Sequence, residues 1–239
     1  MRDRYKDMAY FEGFLDNLDA RITKFERAAE ALIAERGPDG EGVYTLVTYL
    51  EVLYFNELIA LYSAGRPLDE FRGFLPEVVG IMERAYTPSV IRNMDYYNEC
   101  LWLMSIGIML DIEDGLMNRI KQIARIYQNH DKMMDFLMNG SVSGNHHFFL
   151  MDRPCANLDD VLMTSDKDTS VMHLAQYLHS NWYPAHEGTG WHDTHAIDDF
   201  VYRGYWSFES GAIVKILGLD DNSLNDTPYY PYDMVHYKG

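Results

Sequence analysis

The stretch MAYFEGFLDNLDARITKFERAAEALIAER, residues 8–36, decides the fold class. Met8, Phe11, Leu15, Leu18, Ile22, Phe25, Ala29 and Leu32 recur at alternating steps of three and four. That spacing is the inner stripe of a long helix, held for more than three heptads. The stripe ends at RGPDGEG, where Gly37 and Pro38 cannot continue a helix. It is wide enough to pack against a neighbouring helix of the same chain or to pair two copies as a homodimer.

Helical periodicity continues outward from there. VYTLVTYLEVLYFNELIALYSAG predicts a second helix, with Leu46, Leu50, Leu53, Glu57 or Leu58, and Leu61 inward and Gly65 as its cap. A third runs from about Pro67 to Tyr86 and contains Pro76, which predicts a kink or break. Residues 95–112 are apolar nearly all round and predict a central, buried helix. Two more are expected over 116–130 and 131–138. Short helices are expected near 147–151 and 158–163, and a longer one over 169–183. No segment alternates with period two between hairpin turns. The reading is all-α, a multi-helix bundle whose N-terminal part, 1–130, packs on a C-terminal part, 131–239.

Composition narrows function. The chain has 239 residues, 47% of them hydrophobic, enough for a substantial core. Lys and Arg number 20 against 37 Asp and Glu, a formal charge of −17. That total repels a phosphate backbone and attracts basic proteins, so no direct nucleic-acid partner is expected. Cys100 and Cys155 read as free thiols, Cys100 buried in an apolar helix. The opening residues lack the apolar core of a signal peptide and no run is long enough to span a membrane. The expected location is cytoplasmic, with no membrane partner.

Catalytic patterns are scarce. His186, Glu187, His192, Asp193 and His195 fall together in a glycine-broken loop, and His192 and His195 have a workable metal-ligand spacing. His192-Asp193 resembles the dyad of HD phosphohydrolases, which makes a metal-dependent hydrolase using His186, His192 and His195 the alternative reading. That family also needs an upstream histidine and a distant downstream aspartate, which this sequence does not offer. The pair His146–His147 has no matching nucleophile pattern. The adjacent acids Asp159–Asp160, Asp198–Asp199 and Asp220–Asp221 point apart on a helix and read as caps and solvated faces.

The segment YRGYWSFESGAIVKILGLDD, 202–221, reads as one helix. Glu209 lies on its apolar face among Tyr205, Trp206, Ala212, Ile213 and Ile216. A buried carboxylate needs a charged or hydrogen-bonding partner, or a proton, so Glu209 is expected to tie this helix to another. Gly218 followed by Leu219 predicts a Schellman ending. Residues 193–226 hold Asp193, Asp198, Asp199, Glu209, Asp220, Asp221 and Asp226 against Arg203 and Lys215.

YRGYWSFESGAIVKILGLDDNSLNDTPYYPYDMVHY, 202–237, resembles the C-terminal signature of PoNi-type immunity proteins, which neutralise PoNe-family DNase toxins delivered by type VI and related secretion systems. The residues that carry the likeness are Gly204, Tyr205, Trp206, Phe208, Glu209, Leu217–Asp221 and the YYPYD around Tyr230 and Pro231. LIALYSAGRPLDEF, 58–71, resembles the family's N-terminal helical domain. The resemblance implies a helical protein that binds its cognate nuclease toxin stoichiometrically and blocks its access to DNA. It implies neither catalytic residues nor a cofactor. The partner face then falls to the acids Asp193, Asp198, Asp199, Asp220, Asp221 and Asp226.

Overall fold

The computed structural model describes residues 1–141 and 148–239, and all regular structure among them is helical. The chain forms two compact units. One comprises Met1–Thr87 with Asp193–Gly204; the other comprises Pro88–His192 with Tyr205–Gly239. Packing therefore interleaves the chain, with the segment 193–204 returning to the N-terminal helices.

In the first unit α1 (Met8–Arg36), α2 (Val43–Ala64) and α3 (Leu68–Ala85) pack in sequence order, α1 on α2 and α2 on α3. Asp7 caps α1 by accepting from the Tyr10 amide at 2.9 Å. Of the heptad stripe, Phe11, Leu15, Leu18, Ile22 and Ala29 are buried, Phe25 and Leu32 half-buried, and Met8 exposed. α2 buries more than the expected stripe: Tyr54, Phe55, Ile59 and Ala60 join it, while Leu46 is only half-buried. α3 passes through Pro76 as one helix, where the sequence predicted a kink or break. Pro76 lies on the exposed side, so its missing N–H costs a single hydrogen bond at a wet face.

The returning segment locks onto these helices. The Tyr202 hydroxyl donates to Asp3 Oδ2 at 2.5 Å, and Ser63 Oγ donates to the Arg203 carbonyl at 2.7 Å. Arg203 donates to Asn56 Oδ1 at 2.9 Å. Phe200 stacks on Phe14 and fills the space beside Gly13, where a Cβ would stand 2.7 Å from the Phe200 ring.

In the second unit α4 (Met94–Met109) is central, as its all-round apolarity predicts. It packs on α5 (Asp114–Ala124), α6 (Lys132–Asn139), α10 (Phe208–Leu217) and α11 (Tyr232–Val235). α5 ends at Ala124, six residues short of the expected limit. α7 (Asp159–Met163) follows a 3-10 turn and packs on α8 (Lys167–Gln176). The short helix expected over 147–151 falls partly on 142–147, which with His146 and His147 lie outside the described residues. Residues 148–151 are not helical. α8 runs through a π-helical turn, Tyr177–Asn181, into α9 (Trp182–Ala185).

α10 is shorter than its sequence suggests. Residues 202–207 are not helical, so Tyr205 and Trp206 precede the helix instead of lying along its face. Gly204 has φ +111°, a conformation that excludes the α-helix, and the Ser207 amide bonds the Tyr229 carbonyl at 2.8 Å. The helix ends as expected. Gly218 is left-handed at φ +60°, and the Leu219 amide reaches back to the Val214 carbonyl at 3.1 Å. Gly211 sits where α10 presses on α4 and α11; a Cβ there would stand 2.3 Å from Met109 Sδ and 2.9 Å from Val235. Both cysteines are free and buried, and burial pushes the Cys100 thiol well up.

Candidate functional site: a buried acceptor and exposed acids

Glu209 sits in the first turn of α10 and is fully buried. Its carboxylate accepts four hydrogen bonds. Oε1 takes Ser207 Oγ at 2.7 Å, Trp182 Nε1 at 2.8 Å and the Tyr177 hydroxyl at 3.0 Å. Oε2 takes Trp102 Nε1 at 3.0 Å. The tie to another helix is present: α4, the π-turn and α9 all converge on one side chain. All four donors are neutral. Burial raises the Glu209 pKa from its ordinary value, and the donors oppose the shift without cancelling it.

The π-turn explains how two donors reach one oxygen. Tyr177 and Trp182 are five residues apart, and the Trp182 amide bonds the Tyr177 carbonyl. That i to i+5 register stacks them one turn apart, whereas a regular α-helix would splay them by ~140°. Around this point the aromatics close. Trp191 packs against both Trp102 and Trp182, with ring centroids 5.5 and 5.8 Å away. Tyr205 packs on Tyr183 at 5.0 Å, and Phe208 lies edge-on to Trp102 at 6.3 Å. Trp206 is half-buried. The signature residues therefore build a core. Sequence reasoning missed Trp102, Tyr177, Trp182 and Ser207; their one signal was an indole or hydroxyl that needs an acceptor when buried.

The clustered histidines each have a different partner. His186 is buried, and its Nδ1 donates to the Trp182 carbonyl at 2.7 Å. Burial pushes its pKa down to about 4. His192 stacks on Tyr183 at 4.3 Å, and His195 lies against Tyr5 at 4.7 Å. His192 and His195 belong to different compact units. Among the described residues no group of three His, Cys, Asp or Glu side chains is placed to hold a metal ion. The hydrolase alternative finds no support.

The acidic residues separate into two groups. In the first unit Asp193, Asp198 and Asp199 are exposed. Asp198 and Asp199 line a small pocket of about 230 Å³ with Tyr10 and Phe200. In the second unit Asp220 and Asp226 are exposed, and Asp220 accepts from the Asn222 side chain at 2.7 Å. Asp221 departs from the solvated reading. It is buried, accepts from the Tyr230 hydroxyl at 2.6 Å, and is bonded by His236 Nε2 at 3.0 Å. Tyr230 and Pro231 curl the terminus back toward α10, and Asp221 closes that curl.

Both halves of the chain match family models: the N-terminal region of PoNe immunity proteins (PoNi) over residues 2–122, and the C-terminal region over 129–234. The chain belongs to the PoNe immunity protein family. PoNi proteins are immunity proteins for PoNe nuclease toxins, and that is the function of this PoNi chain. No curated protein matches it. Among solved structures it is similar to protein PA2201 from Pseudomonas aeruginosa, with TM-score 0.74 and 19% identity over 99% of this chain and 89% of that one. At that identity the likeness concerns the fold alone.

Proposed function

We propose that this PoNi protein neutralises its nuclease by equimolar binding, without chemistry of its own, and that exposed carboxylates draw and hold the nuclease's DNA-binding surface. The observation that carries the reading is the family match over both halves joined to a charge of −17. A nuclease must present Lys and Arg to a phosphate backbone, and the same residues complement carboxylates. Asp193, Asp198 and Asp199 on one unit and Asp220 and Asp226 on the other are the residues assigned to this role; Asp221 is not, because it is occupied internally. The toxin is read as a DNase delivered by a type VI or related system, and the site of action as the cytoplasm. Among the described residues no helix is long and apolar enough to cross a membrane. Residues 1–130 and 131–239 are read as the chain's N-terminal and C-terminal helical domains.

Titrating the protein into the PoNe nuclease that it neutralises in co-expression should abolish DNA cleavage at an equimolar endpoint. Inactivation at a small fraction of an equivalent, with turnover, would replace this reading with an enzymatic one.

A further inference from the structure

The three long helices of the first unit leave a groove of about 380 Å³ open between them. Its floor is apolar, from Ala29 on α1, Leu50 on α2 and Ile81 on α3, all buried side chains of the bundle. Its walls are acidic. Glu26 and Glu30 come from α1 and Glu77 from α3, against the single base Arg84. Helical spacing puts each set on one stripe: Glu26, Glu30 and Ile33 on α1, Leu50 and Tyr54 on α2, Glu77, Ile81 and Arg84 on α3.

Among the described residues Glu26, Glu30 and Glu77 make no ion pair. Glu26 accepts from the Tyr54 hydroxyl at 2.5 Å. Glu57 stands outside the lining of the groove, one turn beyond Tyr54 on the same face of α2. The charged groups that act on it from the helices packed against α2 are Asp19 of α1 and Glu77 of α3, both acidic. Burial and these two neighbours push Glu57 up to about 7. A bundle that needed only stability would gain by placing a base here. The groove instead concentrates negative charge beside an apolar strip long enough for an aliphatic stem.

We infer that this groove seats a lysine or arginine side chain of the PoNe nuclease, its stem on the Ala29–Leu50–Ile81 floor and its charge between Glu30 and Glu77. The inference rests on the immunity reading and deepens it, adding a socket to the surface acids. Lys and Arg are suited to such a site because they bury their methylenes while the head stays with carboxylates. A phosphate or an acidic peptide is repelled by the same walls. Seating the cation lets Glu57 release its proton, so affinity should rise as pH increases through about 7.

The test is binding of the nuclease, measured by interferometry, to E30K/E77K and to D152K/D160K. The two variants change net charge equally, and all four positions are exposed. E30K/E77K should weaken binding about a hundredfold, mainly through faster dissociation, while D152K/D160K should stay within severalfold of wild type. Wild-type affinity should climb between about pH 6 and 8, and E57Q should flatten that slope. Unchanged affinity in a folded E30K/E77K protein, or equal losses in both variants, would overturn the socket. Wild-type protein that binds no PoNe nuclease would instead remove the immunity reading on which the socket rests.

Discussion

Glu209→Ala removes the acceptor on which four buried donors converge. The loss can be worked donor by donor. Ser207 Oγ already lies 2.6 Å from Ser210 Oγ and can re-pair there. The indole N–H groups of Trp102 and Trp182 can donate only, and each loses its Glu209 acceptor in the buried site. An unsatisfied buried donor costs about 1–3 kcal/mol, so the two indoles alone cost about 2–6 kcal/mol. Truncation also leaves a void beside α4, and the total is a large part of the 5–15 kcal/mol typical of a domain. Glu209→Gln should cost less. Its oxygen can keep the three donors at Oε1, and its NH₂ opposes only the Trp102 indole, a penalty of about 1–3 kcal/mol. Urea denaturation followed by tryptophan fluorescence should therefore rank wild type above Gln and Gln above Ala. The Gln variant adds a pH readout. The folded-state pKa of Glu209 is raised, so its titration favours the native state most below the unfolded value and less as pH rises through the folded one. The stability difference between wild type and E209Q should accordingly shrink with rising pH. Ala and Gln variants of equal stability would refute the donor count. A fully stable Ala variant that no longer protects against the nuclease would place Glu209 in recognition instead.

Asp198, Asp199, Asp220 and Asp226 changed together to Asn should slow association with the nuclease by about one to two orders of magnitude at low salt, with the difference vanishing as screening shortens to ~3 Å near 1 M. Stopped-flow association rates in a folded variant check this, and a rate equal to wild type at low salt removes these acids from steering. Asp221→Asn should behave oppositely, leaving association unchanged while weakening the bonds from Tyr230 and His236, a loss of about 1–2 kcal/mol readable by urea denaturation.

How much of this was legible in the sequence depends on the range of the interactions. The stripe of α1, the buried α4 and the Gly218 ending are written in local spacing, and the structure carries them. The span of α10 was misjudged because Tyr205 and Trp206 imitate a helical face, while Gly204 and the bond from Ser207 to Tyr229 hold them out of one. Asp221 read as solvated because its partners Tyr230 and His236 lie nine and fifteen residues on, beyond any local pattern. Glu209 was legible as a problem but not as a solution. Its need for partners follows from burial alone; the identity of Trp102, 107 residues away, follows only from the fold. The groove between α1, α2 and α3 was invisible, since Glu26, Glu57 and Glu77 become neighbours through packing.

The residues by which the chain resembles its family are, for the most part, beyond a partner's reach. Tyr205, Phe208, Glu209 and Tyr230 are buried, and Asp221 is buried with them. A nuclease docking on the folded protein cannot touch side chains that have left the surface. Their role is to specify the second unit, by giving α4, the π-turn and α10 one acceptor to agree on and by closing the terminus over α11. Burial thus separates two sets of carboxylates: Glu209 and Asp221, which bond within the fold, lie inside, and Asp198, Asp199, Asp220, Asp226, Glu30 and Glu77, the acids proposed for the partner, lie outside. On that proposal the outer set can be exchanged while the acceptors at Glu209 and Asp221 stay in place. On the same proposal, a protein built this way changes which nuclease it recognises while keeping the signature that makes it fold.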